Sequence, residues 1–114
     1  MKTILIVEDD EIYQYDLKDS LEKSYNLNFA QDLESAKINV PDSDLIISDI
    51  VLGTGQTQNK DGLILLKWIK QNYPQKPVII ITGFKTAEFK IEALNNGAKF
   101  MLKPLNMKEL IEIM

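Results

Sequence analysis

Three short apolar runs constrain this chain more than anything else in it: Ile4-Leu-Ile-Val7, Leu45-Ile-Ile-Ser48 and Pro77-Val-Ile-Ile-Ile81. Each has the length of a strand and lacks the polar alternation of a half-solvated sheet, so each reads as a strand covered on both faces. Helix-spaced apolar positions follow every one of them. Tyr13, Leu17 and Leu21 form one stripe, over residues 10–24, with Asp9 or Asp10 available as its cap. Leu63, Leu66, Trp68 and Ile69 form another, capped by Asp61 and ended before Pro74. Phe89, Ile91 and Leu94 mark a third, stopped by Asn95-Asn96-Gly97, where Gly97 suits the left-handed residue after a helix. Fainter signals complete the series. These are a strand over 27–30, a helix over 32–40, a strand over 98–102, and a last helix carrying Leu110, Ile111 and Ile113 that Asn106 and Glu109 open as a capping box.

Five strands alternating with five helices through short connections require right-handed crossovers and a mainly parallel sheet. The expectation is an α/β, doubly wound, five-stranded parallel sheet with helices on both faces, in the flavodoxin-like strand order 2-1-3-4-5. At 114 residues the chain makes one domain, and no repeat or linker divides it. It ends at Met114 inside a short apolar helix, as expected of a truncated chain or of one domain of a larger protein. The 13 basic residues are all Lys, and 17 acidic residues bring the net charge to -4, which argues against nucleic-acid binding. With neither Cys nor His there is no disulfide framework and no soft metal site. No segment is long and apolar enough for secretion or spanning, so the chain is expected to be cytoplasmic, without membrane contact.

In this order, strands one and three flank the switch in winding direction, the place where ligands sit in such sheets. Both end in acid: Glu8-Asp9-Asp10 and Asp49. A carboxylate there is costly to desolvate unless a cation, hydrogen bonds or the open mouth of the sheet compensates it. Glu8, Asp9 and Asp49 together would repel one another, and a hard divalent ion answers that repulsion. Carboxylates, the backbone carbonyl of Val51 and waters make an octahedral oxygen site of the kind Mg²⁺ accepts. Thr82 offers a hydroxyl at the end of strand four and Lys103 a compact cation at the end of strand five. Both suit a phosphoryl group carried on Asp49. Gly83 would let the backbone approach that group closely.

Four pieces now stand in order, each at a strand end: Ile4-Leu-Ile-Val-Glu-Asp9, Asp44-Leu-Ile-Ile-Ser-Asp49, Ile80-Ile-Thr82-Gly83 and Phe100-Met-Leu-Lys103-Pro104. Over essentially its whole length the chain resembles the receiver domain of bacterial two-component response regulators. The resemblance implies that Asp49 accepts a phosphoryl group from a phosphohistidine on a sensor histidine kinase or a histidine phosphotransfer protein. It makes Glu8 and Asp9 the Mg²⁺ (or Mn²⁺) acids, Thr82 the switch hydroxyl, Lys103 the phosphate-contacting cation and Phe100 the switch aromatic. It also implies a cis peptide at Lys103-Pro104. The domain would be no enzyme in its own right, but a phosphoacceptor that assists its own phosphorylation and dephosphorylation. Phosphorylation would switch the face made by helix four, strand five and helix five, through which a homodimer could form.

Two features depart from the family pattern. Gly53 stands where a proline is usual, and the polar loop from there to Lys60 is several residues longer than normal. It lacks the Gly-Lys-Ser/Thr ending of a P-loop, so nucleotide binding does not follow. The resemblance implies that Val51 and Phe84, both apolar here, flank the path of the hydrolytic water, and they are expected to prolong the phosphoryl group. Two other readings compete. A Mg²⁺-dependent aspartyl-phosphate phosphatase would need a second Asp where Val51 stands, and a receiver-like interaction module would act without phosphate.

Overall fold

A computed structural model of the chain describes residues 1–52, 59–83 and 87–114. Strands and helices alternate strictly: β1 (Thr3–Val7), α1 (Glu11–Leu21), β2 (Asn26–Ala30), α2 (Leu33–Asn39), β3 (Leu45–Asp49), α3 (Asp61–Asn72), β4 (Val78–Thr82), α4 (Ala87–Asn95), β5 (Lys99–Leu102) and α5 (Met107–Ile113). All neighbouring strands are parallel, in the order β2-β1-β3-β4-β5. The expected fold class and strand order are what the structure has. The three apolar runs fill the centre, and every residue of β3 and β4 is buried. An apolar strand with neither face in water is the sequence signature of a sheet covered on both sides.

The pleat sorts the core into two layers. Leu5, Val7, Ile46, Val78 and Ile80 face Ala36 of α2, Leu63, Leu66 and Ile69 of α3, and Ala93 of α4. Ile4, Ile6, Ile47, Ile79 and Ile81 face Leu17 and Leu21 of α1 and Leu110 of α5. Side chains alternate across a strand, so the same phase carries on into the residues that end each strand. Glu8, Asp49 and Lys103 continue the rows on the α1/α5 side. Thr82 continues the opposite row, with Phe100 and Leu102 beside it on β5.

Local chemistry sets the helix ends, in places differently from expectation. Asp10, rather than Asp9, caps α1 by accepting from the Ile12 N–H at 2.9 Å, which leaves Asp9 between cap and strand end. Asp32 and Ser35 form a reciprocal capping box on α2, and the Asn106 side chain accepts from the Glu109 N–H at the start of α5. Asp61 is not a cap. It is the first residue of α3, and its N–H donates to the Asn59 side chain at 2.8 Å. In α4 the buried residue is Ala93, whereas Ile91 and Leu94 are largely exposed. Gly97 ends that helix with φ +85°, as expected. Lys103-Pro104 is a cis peptide. Among the described residues no helix is long and apolar enough to cross a membrane. Gly53, Phe84 and most of the long polar loop lie outside the described residues.

Candidate functional site

The carboxyl ends of β1, β3 and β4 and the residue after β5 converge on one mouth. Glu8 is fully buried, Asp49 is 7% exposed and Thr82 is fully buried. The Lys103 N–H donates to the Thr82 carbonyl at 2.8 Å, which ties the end of β5 to the end of β4. From there the Lys103 ammonium reaches between the two acids, 2.5 Å from Glu8 Oε1 and 2.8 Å from Asp49 Oδ2. Residues 95 and 54 positions apart in the chain meet here because they share one phase of the pleat.

The remaining bonds fix each carboxylate. Asp49 Oδ1 accepts from the Ile50 N–H at 2.6 Å, and the Ser48 hydroxyl donates to the Asp49 carbonyl at 2.8 Å. The Glu8 N–H donates to Ala30, and the Glu8 carbonyl accepts from the Gln14 side chain at 2.5 Å, which pins the first turn of α1 to the strand end. Burial pushes the Glu8 carboxyl up to about 7. The Lys103 hydrogen bond pulls it down and the Asp49 charge pushes it further up, and burial prevails. Burial alone would lower the Lys103 pKa, but its bonds to Asp49 and Glu8 outweigh burial and hold it above the ordinary 10.5.

Glu8, Asp49 and Lys103 are thus brought together through their side chains, and Thr82 joins them through its backbone carbonyl. Asp9 follows Glu8 directly and is half-buried. Val51 is half-buried and packs against the core layer of α2, α3 and α4. Phe100 packs half-buried against the same layer, paired with Ile80. A Cβ added at Gly83 would meet nothing within 4 Å, so the protein's own packing does not require a glycine there.

The donor set fits a hard cation. Its side-chain oxygens are carboxylates, and Glu8 Oε2 is buried with no hydrogen-bond partner. A buried carboxylate oxygen without a partner is costly, and a divalent ion is one group that satisfies it. Among the described residues no three acidic side chains already stand as a metal-ready group. The expected cluster of Glu8, Asp9 and Asp49 is therefore not closed up in this structure. The Lys103 ammonium stands between two of the three, Glu8 and Asp49.

Three residues escaped the sequence reading. Tyr13, read as a core position of α1, has its ring centroid 4.2 Å from the Lys103 ammonium. Asn59 binds both the N–H and the carbonyl of Leu52 as well as Asp61, and so closes the base of the long loop. Gly62 donates its N–H to the Ile50 carbonyl at 2.7 Å, and a Cβ there would overlap the Asp49 carbonyl oxygen and stand 2.6 Å from Ile50 Cα. A signal for Gly62 existed: a glycine inside a helix is unfavourable and implies a packing reason. No sequence signal distinguishes Tyr13 from an ordinary core aromatic.

The family model for the response regulator receiver domain matches residues 4–114. The transcriptional regulatory protein KdpE of Staphylococcus aureus is 36% identical over 111 residues, covering 94% of this chain and 46% of that protein. The chain thus spans less than half the length of this curated relative. A CheY-like receiver domain from Methanospirillum hungatei superposes with a TM-score of 0.86 at 27% identity, covering 99% of this chain and 90% of the other. A two-component response regulator from Clostridium difficile gives 0.84 at 31% identity, with 99% and 92% covered.

Proposed function

The chain belongs to the response regulator receiver domain family, and we propose that it acts as the phosphoacceptor of a two-component pathway, with Asp49 as the nucleophile. The observation that carries this reading is the Lys103 ammonium held 2.8 Å from Asp49 at the mouth of the sheet. An exposed lysine could meet a carboxylate anywhere, but one that is 10% exposed and bridges two buried acids is a charge built into the site.

In the proposed reaction an Asp49 oxygen attacks the phosphorus of a phosphohistidine on a sensor histidine kinase or a histidine phosphotransfer protein. The oxygen–phosphorus bond forms as the phosphorus–nitrogen bond breaks, and the electron pair leaves with the imidazole, which takes up a proton. These 114 residues contain no His, so the donor imidazole lies outside them. A carboxylate nucleophile has no proton to give up and needs no general base, so the work left to the protein is positioning and charge neutralisation. The Ile50 N–H holds one Asp49 oxygen and Lys103 the other, which fixes the carboxylate plane. Mg²⁺ or Mn²⁺, held by Glu8, Asp9, Asp49 and the Val51 carbonyl, would neutralise charge on the phosphoryl oxygens.

A phosphoryl group on Asp49 adds roughly two negative charges. Lys103 and the Thr82 hydroxyl meet that charge by moving towards it, and Phe100, in phase with Thr82 on the neighbouring strand, turns inward. Ile91, Leu94, Leu102 and Ile111 expose 42–56% of their surface on α4, β5 and α5, which supports this face as the output surface and as a homodimer contact. The domain would be a phosphoacceptor that assists its own turnover rather than an enzyme. Its place in a cytoplasmic pathway follows from that reading.

The test is incubation with a small phosphodonor and Mg²⁺, followed by intact-mass measurement. Wild type gains one phosphoryl group, a chelator prevents the gain, and Asp49→Asn gains nothing stable. Labelling that survives in Asp49→Asn refutes the assignment, and no labelling of wild type favours an interaction module that works without phosphate.

A further inference from the structure

We propose that Tyr13 is a positioning residue for Lys103: its ring holds the ammonium docked between Glu8 and Asp49 and so sets how readily a divalent cation shares that acid pair in the resting chain. The inference rests on the reading of the acid cluster as a divalent-cation site. The Lys103 ammonium has three N–H directions, of which Glu8 and Asp49 take two. The Tyr13 ring centroid lies 4.2 Å away. A cation over an aromatic face is attracted by the ring quadrupole, and more strongly where water is excluded. Lys103 is 10% exposed, so the contact is of the desolvated kind. The other cation–ring contacts among the described residues, Lys37 over Trp68, Lys60 over Phe89 and Lys76 over Tyr73, are longer, at 5.5, 5.2 and 4.9 Å.

Tyr13 is held in place for this task. The Asp10 cap and the bond from the Gln14 side chain to the Glu8 carbonyl anchor the first turn of α1 at the end of β1, on either side of Tyr13. A leucine would fill much of the same volume but has no quadrupole. With leucine there, two carboxylates alone would hold the ammonium, and it would spend more time away from them. A divalent cation using the same oxygens would then meet less like-charge repulsion. Tyr13→Leu should therefore bind Mg²⁺ about fivefold more tightly than wild type, whereas Tyr13→Phe, which keeps the ring, should bind as wild type does.

Two measurements on the full chain test this. Ring current should shift the Lys103 ε-methylene protons upfield in wild type and in Tyr13→Phe, and the shift should vanish in Tyr13→Leu. Titration with Mg²⁺, followed by backbone amide shifts, should show the tighter binding in Tyr13→Leu alone. Unshifted Lys103 protons in wild type overturn the inference without recourse to any variant. Equal Mg²⁺ affinity in wild type and Tyr13→Leu overturns it while leaving the functional reading intact. Failure of wild type to bind Mg²⁺ at all overturns that reading and the inference with it.

Discussion

Glu8→Gln decides whether burial or the Lys103 ion pair governs the acid cluster. Glu8 is fully buried, and burial, opposed by Lys103, raises its carboxyl from an ordinary 4.5 to about 7. Between those values the unfolded chain releases the Glu8 proton while the folded chain keeps it. The folded state then binds more protons, so stability falls as pH rises through the window. Two and a half pH units correspond to about 3 kcal/mol. Lys103, with its pKa raised above 10.5, contributes stability that is present below that value and lost above it, so it leaves this window undisturbed. Glu8→Gln cannot titrate, and every other group is common to both proteins. The stability of wild type minus that of Glu8→Gln should therefore drop by about 3 kcal/mol between pH 4.5 and pH 8 in chelator. Urea unfolding followed by the fluorescence of Trp68 at several pH values measures it. A difference that stays flat, or that grows with pH, refutes the reasoning, and growth would mean that the ion pair outweighs burial.

Three further changes probe features peripheral to the charge cluster. Gly62→Ala should destabilise by about 2 kcal/mol or more because the new methyl meets the backbone of Asp49 and Ile50. Exposed helix glycines usually gain from this change, so stabilisation in a thermal melt would contradict the packing. Lys76 donates to the carbonyls of Val40, Pro41 and Ser43 at 2.7, 3.0 and 2.6 Å, and Lys76→Met should cost about 1–3 kcal/mol in urea unfolding by leaving them unpaired; unchanged stability would show that water replaces the ammonium freely. Val51→Asn should speed loss of the phosphoryl group from Asp49 by admitting water, read as decay of the labelled protein, and an unchanged lifetime would remove Val51 from the water path.

What was legible in the sequence follows from periodicity. Buried parallel strands must be apolar throughout, so Ile4 to Val7 and Val78 to Ile81 declare themselves, and the acids that interrupt such runs can only sit at strand ends. The clustering of Glu8, Asp49 and Lys103 follows from that alternation and strand order, whereas Thr82 reaches the same mouth from the opposite row. Contacts that depend on side-chain reach were not legible. Asp61 sits where a cap belongs, yet Asn59 takes the bond because its amide also spans Leu52. Ile91 and Leu94 have the spacing of a buried stripe, yet Ala93 is the residue turned inward, and apolar spacing alone does not say which face of so short a helix meets the sheet. The Tyr13 ring reaches Lys103 across 90 residues of sequence, and nothing local in the chain announces it.

The phosphoryl site itself can be read directly. Borohydride reduces an aspartyl phosphate to homoserine, so wild-type chain treated with a small phosphodonor and Mg²⁺, reduced, digested and sequenced by mass spectrometry should carry homoserine at position 49 and at no other acidic residue. Homoserine at Asp9, 5-hydroxynorvaline at Glu8, or an unmodified Asp49 in labelled protein would contradict the account.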